Sequence, residues 1–327
     1  MVTRKKQKNI KFEQTSNYID NKFASLMDYL RNRSLEYIKD AIKHNHFYQR
    51  NTDKGNYTAI VNYYNRFKMW GTIDLDKGDY ELVDSNAKAL VEHREDFEWL
   101  YNRLGDYRSK KILTSILYYW LTVDYHNIED LQDKVYSQYF DLDIIGCDKN
   151  EVFVDIGAYM GETTMKYSEI FGADCYKNIY CYDIVPINIK NTNINIELSK
   201  LKNVIVREKG VSDKAGSLFL SNGEFTSTSK LSEQGETEIE TVTIDNDVEG
   251  PVTFIKMDIE GGEENALLGC RNKILENHPK LALSVYHNNN HLWKLARIIY
   301  EIDPTYKFYL RYYGNPLLPT EYLLYAV

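Results

Sequence analysis

The sequence predicts an α/β fold in which a helical N-terminal region precedes a sheet of parallel strands with a C-terminal antiparallel hairpin. Up to about residue 140, apolar residues recur at three- and four-residue steps, as one face of an amphipathic helix requires. From residue 151, strand-like and helical runs alternate, which is typical of parallel βαβ units. The chain ends in two strand-like runs joined by a turn that contains Gly314, Asn315 and Pro316. We therefore expect a helical region over 1–145 and a second domain over 146–327.

The helical prediction depends on three apolar faces in the first region. Two of these faces lie within residues 97–104 and 112–121. The first face is formed by Ile19, Phe23, Leu26, Met27 and Leu30.

The second domain is predicted from runs of strand-forming residues. Runs 152–155, 179–183, 204–207, 253–258 and 281–286 are the expected parallel strands. Helices are expected over 187–198, 264–275 and around 292–300, and runs 215–220 and 238–243 should pair at an edge. The final runs, 306–313 and 321–327, should be antiparallel.

Composition excludes several classes of function. Hydrophobic residues make up 43% of the 327 residues and charged residues 27%, which is typical of a globular protein. The net charge of −8 argues against nucleic acid as a partner. No apolar run approaches the ~20 residues of a membrane span, and the basic run at 4–8 lacks the apolar segment of a secretory signal. The four scattered cysteines suggest neither a zinc site nor disulfides, so a cytoplasmic location is expected.

A glycine turn follows the first predicted strand. This strand ends at Asp155, and Gly157 and Gly161 allow a tight turn into a helix. An acid, a glycine turn and a helix N-terminus together form a cofactor pocket in many α/β proteins, although an ordinary βα turn is the alternative. The dinucleotide fingerprint needs three glycines, and only two are present here. The spacing instead resembles the first motif of S-adenosylmethionine-dependent methyltransferases.

Polar groups follow the other predicted strands as well. Because ligands of open parallel sheets bind beyond the carboxyl ends of the strands, these groups should meet at one edge. Asp183 suits the hydroxyls of a ribose, or else caps the following helix. Ser212 and Asp213 could contact an adenine amino group or cap a turn, and His287 follows the last parallel strand.

Several motifs in order resemble the FkbM family of S-adenosylmethionine-dependent methyltransferases. They are residues 152–158, 182–186, 210–213 and 241–245, and a K-x-D-x-E-G-x-E block at 256–263. The run 138–143 resembles longer members. This resemblance implies a Rossmann-like methyltransferase sheet and S-adenosylmethionine as cofactor. Two departures are Asp183, where the family usually has Glu, and Asn288 to His291, where it often has a lysine and an acid.

The residues expected to bind the cofactor combine the glycine turn with the ends of the later strands. They are Asp155, Gly157, Ala158, Tyr159, Gly161, Thr163, Asp183, Ile184, Ser212, Asp213 and Asp258.

Catalysis is expected at the ends of the last two parallel strands. An acceptor hydroxyl must lose its proton, and a positioned base contributes about 10²–10⁴-fold to the rate. His287 is the first candidate for this base and Glu260 the second, beside Asp258. These three residues could instead hold a divalent metal, but their spacing is not a recognised metal motif, so no metal is expected. His287 and Arg311 are candidate acceptor contacts, although an Arg between tyrosines is often structural.

The sequence thus predicts an O-methyltransferase that acts on a hydroxyl of a carbohydrate or other small acceptor. The resemblance implies sugars, natural products or surface glycans as acceptors, and hence a role in polysaccharide biosynthesis. The N-terminal region would then bind the acceptor or form a homo-oligomer. The alternatives are a non-catalytic cofactor-binding scaffold of a glycan assembly complex and, less favoured, a nicotinamide-dependent oxidoreductase.

Overall fold

The N-terminal region is helical, as its apolar periodicity predicts. The computed structural model describes residues 17–147, 149–221, 229–235 and 237–327, so the basic run at 4–8 lies outside it. Asn17, Ser34 and Asp106 each accept a hydrogen bond from the backbone amide three residues later, which starts a helix. The helices are α1 (Tyr18–Arg31), α2 (Leu35–Thr52), α3 (Lys54–Phe67), α4 (Glu81–Glu92), α5 (Arg94–Tyr101) and α6 (Tyr107–Thr122).

The second region alternates strands and helices. Its strands are β1 (Glu151–Ile156), β2 (Tyr176–Asp183), β3 (Val204–Glu208), β4 (Gly210–Val211), β5 (Gly216–Ser221), β6 (Lys230–Ser232), β7 (Thr237–Val242), β8 (Phe254–Met257), β9 (Lys280–Ser284), β10 (Phe308–Tyr312) and β11 (Tyr322–Ala326). Its helices are α7 (Glu162–Phe171), α8 (Pro186–Leu198), α9 (Ile244–Asp247), α10 (Glu263–Leu268), α11 (Arg271–Asn277) and α12 (His291–Ile302).

The main sheet has the predicted architecture. Its strand order is β10-β11-β9-β8-β1-β2-β3. The strands from β9 to β3 run parallel, and β11 is antiparallel to both β9 and β10. All six residues of β1 are buried, because the strand lies at the centre of the sheet. The expectation of a parallel sheet with a C-terminal hairpin is confirmed.

Two predictions about secondary structure need correction. The edge strands β5 and β7 do pair, but in a separate four-stranded sheet with the order β4-β7-β5-β6. The predicted helix over 264–275 is divided into α10 and α11. The chain passes close to another segment between them, where a Cβ on Gly269 would lie 2.0 Å from the carbonyl oxygen of Ser212.

The helical region and the main sheet share one apolar core. This core contains Leu113 and Ile116 of α6 together with Leu310 of β10 and Leu324 of β11. The Ser109 hydroxyl also accepts a hydrogen bond of 2.9 Å from the Leu310 amide. The helical region therefore packs against the hairpin of β10 and β11. No helix of the described segments has the length and apolar content needed to cross a membrane.

Candidate active site

A cavity of about 990 Å³ opens at the carboxyl ends of the parallel strands. Its position is the one expected for a ligand of an open parallel sheet. The sequence-predicted residues that line it are Gly157, Ala158, Tyr159, Thr163, Asp183, Ile184, Ser212, Asp213, Asp258, Glu260 and His287.

The glycine turn after β1 packs directly on the end of β8. Gly157 has a φ of +80°, and a Cβ on it would lie only 1.8 Å from the carbonyl oxygen of Asp258. The amides of Gly157 and Ala158 both donate hydrogen bonds of 2.9 Å to the carbonyl of Tyr182. A residue without a side chain is therefore required where β1, β2 and β8 meet.

Asp155 supports this turn from below and does not line the cavity. Its carboxylate is buried, lies 3.1 Å from the Lys256 Nζ and accepts a hydrogen bond from Thr164. Lys256 in turn donates a hydrogen bond of 2.6 Å to the Gly157 carbonyl. Gly161 begins α7 and also lies outside the cavity lining. The structure therefore does not bring these two predicted cofactor contacts to the cavity.

Asp183 lines the cavity and also organises its own loop. One carboxylate oxygen accepts from the Tyr159 amide at 2.9 Å, and the other accepts from the Val185 amide and the Asn188 side chain. A carboxylate offers about four acceptor positions, so these three bonds leave one for a ligand. Burial raises the pKa of Asp183 in spite of these hydrogen bonds.

Ser212 and Asp213 also line the cavity. The Ser212 hydroxyl donates a hydrogen bond of 3.1 Å to the Asp213 carboxylate, and the Ser212 amide donates to the Val242 carbonyl. Both side chains therefore keep acceptor positions that a ligand can use.

Asp258, Glu260 and His287 form a cluster in the cavity lining. His287 Nε2 lies 3.3 Å from Asp258 Oδ1 and 3.5 Å from Glu260 Oε1. On the opposite edge of the ring, His287 Nδ1 lies 2.8 Å from the buried Glu263 carboxylate. Asp258 Oδ2 accepts a hydrogen bond of 2.5 Å from the Tyr139 hydroxyl. The sequence motif at 256–263 and the predicted base thus come together.

Negative charge dominates this cluster. Burial alone would lower the pKa of His287, but Glu263, Glu260 and Asp258 outweigh it and raise that pKa well above its ordinary value. Burial would raise the pKa of Glu263, but His287 and His291 lower it to about 2. The cluster therefore favours a positive charge near the imidazole.

Glu321 is a cavity residue that the sequence did not indicate. It precedes β11, lines the cavity, and accepts a hydrogen bond of 2.8 Å from Gln138. Burial and the charge of Asp258 raise the pKa of Glu321 to about 7. No local pattern marks this residue, because only the antiparallel return of the chain brings it to the cavity.

The helical region supplies an aromatic part of the cavity wall. Tyr63 and Phe67 lie at the end of α3, and their ring centroids are 4.6 Å apart. Both line the cavity together with Met69 of the following loop. Their positions depend on the packing of the helices beside the sheet, which the sequence pattern did not indicate.

Arg311 is placed away from the cavity. It is buried in β10, where it pairs with the buried Asp141 carboxylate and, at 2.8 Å, with Asp106. Its guanidinium also donates to the Ser109 hydroxyl of α6. Arg311 thus joins the hairpin to the helical region, and the acceptor contact considered from the sequence is not supported by this location.

Comparison with known families identifies the domain that supplies most residues of the cavity lining. Residues 155–314 match the model of the methyltransferase FkbM domain. This part of the chain belongs to the FkbM methyltransferase family. The family predicted from the motifs is therefore confirmed, and with it, for this FkbM domain, the class of S-adenosylmethionine-dependent methyltransferases. No curated protein matches the chain significantly.

One solved structure agrees with this identification. Methyltransferase FkbM from Methylobacillus flagellatus KT is 25% identical, with a TM-score of 0.66 over 76% of this chain and 63% of its own. The chain therefore spans less than two thirds of that protein. An rRNA methylase from Streptococcus thermophilus is 17% identical, covering 55% of this chain and 87% of its own, with a TM-score of 0.35. SMU.1697c from Streptococcus mutans, in complex with SAH, is 18% identical, covering 55% and 89%, with a TM-score of 0.36. These two scores are too low to support an argument.

Proposed function

We propose that the protein is an O-methyltransferase that uses S-adenosylmethionine to methylate a hydroxyl of a carbohydrate or other small acceptor. One observation carries the proposal. A single cavity is lined both by the glycine turn with Asp183 and by the cluster of Asp258, Glu260 and His287. A cofactor pocket and proton-accepting groups thus face a shared space, which methylation of a hydroxyl requires.

The glycine turn, Asp183, Ser212 and Asp213 fit S-adenosylmethionine. The one remaining acceptor position of Asp183 suits a ribose hydroxyl, and Ser212 and Asp213 suit an adenine amino group. Gly157, Ala158 and Tyr159 line the cavity, so the backbone of the glycine turn lies next to the space for a ligand. When bound, S-adenosylmethionine supplies an electrophilic methyl group to an oxygen nucleophile.

Other residues of the cavity lining suit a sugar-like acceptor. Tyr63 and Phe67 offer apolar ring faces, against which the C–H groups of a sugar ring can pack. Glu260 and Glu321 offer carboxylates that can accept hydrogen bonds from hydroxyl groups. In this proposal the helical region contributes to acceptor binding, and the chance of oligomerisation through it stays a separate prediction.

The chain's own task in the reaction is to hold the acceptor hydroxyl and take its proton. In this proposal the proton passes to the cluster of Asp258, Glu260 and His287. His287 was the first candidate from the sequence, but its raised pKa favours a ring that already carries a proton. Glu260, whose carboxylate lies 3.5 Å from the ring, therefore takes the proton of the hydroxyl. Glu263 fixes the ring by binding Nδ1, which keeps Nε2 directed toward the other two carboxylates. Alignment of this kind can supply a large part of the rate, because well-oriented groups reach effective molarities of about 10⁵–10⁸ M.

The test begins with calorimetric titration of S-adenosylhomocysteine into the wild type, Asp183→Ala and Asp174→Ala. Asp174 is an exposed carboxylate outside the cavity lining, so its replacement is the matched control. We expect Asp183→Ala to weaken binding by about 1–3 kcal/mol, the usual loss for a buried hydrogen-bonding group, and the control to bind normally.

The second step separates an enzyme from a scaffold. Wild-type protein is incubated with S-adenosylmethionine and a panel of free sugars and oligosaccharides, and mass spectrometry follows the methylated product. A product with a gain of one methyl group on a hydroxyl supports the proposal. Tight cofactor binding without production of S-adenosylhomocysteine from any acceptor would favour the scaffold, and no binding by the folded wild type would refute the proposal.

A further inference from the structure

We infer that Asp258, Glu260 and His287 form a binding site for one divalent metal ion. The three residues each offer one ligand atom, and these atoms all lie within 4.8 Å of one another. A nitrogen ligand with two carboxylates suits ions such as Mn²⁺ and Mg²⁺, which prefer oxygen donors, as well as metals that bind imidazole. The inference rests on the proposed function only for its consequence in catalysis.

The spacing of the donor atoms fits a shared ion. Donors at about 2.1 Å from a metal lie about 3.0 Å apart at octahedral right angles and about 3.4 Å apart at tetrahedral angles. His287 Nε2 is 3.3 Å from Asp258 Oδ1 and 3.5 Å from Glu260 Oε1. The imidazole and either carboxylate can therefore bind the same ion with little movement of the side chains.

A second, independent observation is a pair of buried atoms without hydrogen bonds. His287 is buried, with 2% of its side chain exposed, and its Nε2 has no hydrogen-bond partner in the described part of the chain. The same is true of Asp258 Oδ1, which faces that nitrogen. Buried polar atoms are almost always satisfied, so these two atoms, which are 3.3 Å apart, point to an ion that binds both of them from the cavity.

The surrounding residues orient both ligands as metal sites require. Ligating histidines commonly donate their other ring nitrogen to a carboxylate, and here Glu263 lies 2.8 Å from Nδ1. Ligating carboxylates are also hydrogen-bonded, and Tyr139 donates to the second oxygen of Asp258. Both contacts leave Nε2 and Oδ1 directed toward the cluster.

A metal in this place would change how the hydroxyl is activated. A bound ion lowers the pKa of a coordinated oxygen and orients it, so an acceptor hydroxyl could lose its proton near neutral pH. The ion would also balance the negative charge of Asp258, Glu260 and Glu263, a role that a proton on His287 otherwise fills. His287, Asp258 and Glu260 would then act as ligands, and the proton of the hydroxyl would pass to Glu321, a further carboxylate that lines the cavity.

The test is titration of Mn²⁺ into the full chain after dialysis against EDTA, with free Mn²⁺ followed by electron paramagnetic resonance. We expect one bound Mn²⁺ per chain. Glu260→Gln should weaken binding by at least the ~10-fold that loss of an outer partner costs, because it replaces a charged carboxylate ligand with a neutral amide. Glu276→Gln, which removes an exposed carboxylate elsewhere, should bind as the wild type does. Glu260 lines the cavity and is partly exposed, so its variant should fold, whereas His287→Ala serves as a second test if it folds.

The outcomes distinguish this inference from the proposed function. A folded wild type that binds S-adenosylhomocysteine but no Mn²⁺ would overturn the metal site and leave the methyltransferase proposal standing. A wild type that binds Mn²⁺ but no S-adenosylhomocysteine would overturn the methyltransferase proposal and leave the metal site standing. Equal Mn²⁺ affinity in Glu260→Gln and Glu276→Gln would place the ion elsewhere and so refute the assignment.

Discussion

A single added methyl group at Gly157 should separate the glycine turn from β8. This glycine has a φ of +80°, and its Cβ would lie 1.8 Å from the Asp258 carbonyl oxygen. Gly250 provides a matched control, because it has a similar φ of +75° but no atom within 4 Å of the position that a Cβ would take. Comparing Gly157→Ala with Gly250→Ala therefore isolates the steric contact from the cost of the left-handed backbone conformation.

The expected magnitudes follow from these two contributions. A left-handed conformation costs an alanine about 1–2 kcal/mol, and this loss should appear in both variants. Real Cβ atoms stay at least 3.0 Å from other atoms, so at Gly157 the backbone of Asp258 must move away. Overpacking of this kind costs about 1–3 kcal/mol more, which gives a total loss of about 2–5 kcal/mol for Gly157→Ala.

Urea unfolding measures the stability of both variants, and calorimetry measures their affinity for S-adenosylhomocysteine. We expect Gly250→Ala to bind as the wild type does and Gly157→Ala to bind more weakly, because the shift moves the turn that lines the cavity. A variant of Gly157 too unstable to fold agrees with the larger loss. Equal stability losses in the two variants, with unchanged affinity in both, would refute the reasoning.

Three other predictions concern buried ionisable groups. Burial lowers the pKa of His46 to about 3, so only the unfolded chain gains a proton on this residue between pH 6.5 and 3. The free energy of unfolding, measured with urea, should therefore fall by ~2 kcal/mol from pH 6.5 to 5. His46→Gln should remove this pH dependence, whereas His44→Gln, at an exposed position, should keep it. Arg311→Leu should lower the free energy of unfolding by ~3–5 kcal/mol, because the buried Asp141 carboxylate loses its partner. Calorimetry of the folded variant should show normal affinity for S-adenosylhomocysteine, and weaker binding would contradict the structural role of Arg311. Lys256→Met should lower the free energy of unfolding by a similar amount. The double variant with Asp155→Asn should lose less stability than the two single variants together, and additive losses in this double-mutant cycle would contradict the pairing.

The sequence predicted the parts of the fold that depend on local pattern. The alternation of strand-like and helical runs located β1, β2 and β8, and the glycine spacing located the turn at the cavity. Since the carboxyl ends of parallel strands meet at one edge of the sheet, the local pattern was also enough to predict that Asp183 and His287 line one cavity. These predictions needed no knowledge of how distant helices pack.

What the sequence did not predict depends on tertiary packing. Tyr63 and Phe67 belong to an ordinary amphipathic helix, and only the shared core of α6 and β10 fixes that region beside the cavity. Glu321 reaches the cavity because β11 inserts antiparallel between β9 and β10. Arg311 was considered as an acceptor contact because its position in a strand does not tell which distant residues its side chain meets. In the fold it meets the buried carboxylate of Asp141.

The K-x-D-x-E-G-x-E block shows why a motif can have one spacing and several tasks. Lys256 lies in β8 and binds back to the glycine turn, whereas Asp258 comes just after the strand and faces the cavity. Glu260 has a φ of +55° in the turn that follows, next to Gly261 at +104°, so the chain reverses there. Glu263 then begins α10, where its carboxylate accepts from the Ile259 amide and binds His287. A strand, a turn and a helix start in this order fix the spacing, so a one-residue insertion between Glu260 and Glu263 should separate the imidazole from its orienting carboxylate while leaving Lys256 and the glycine turn in contact.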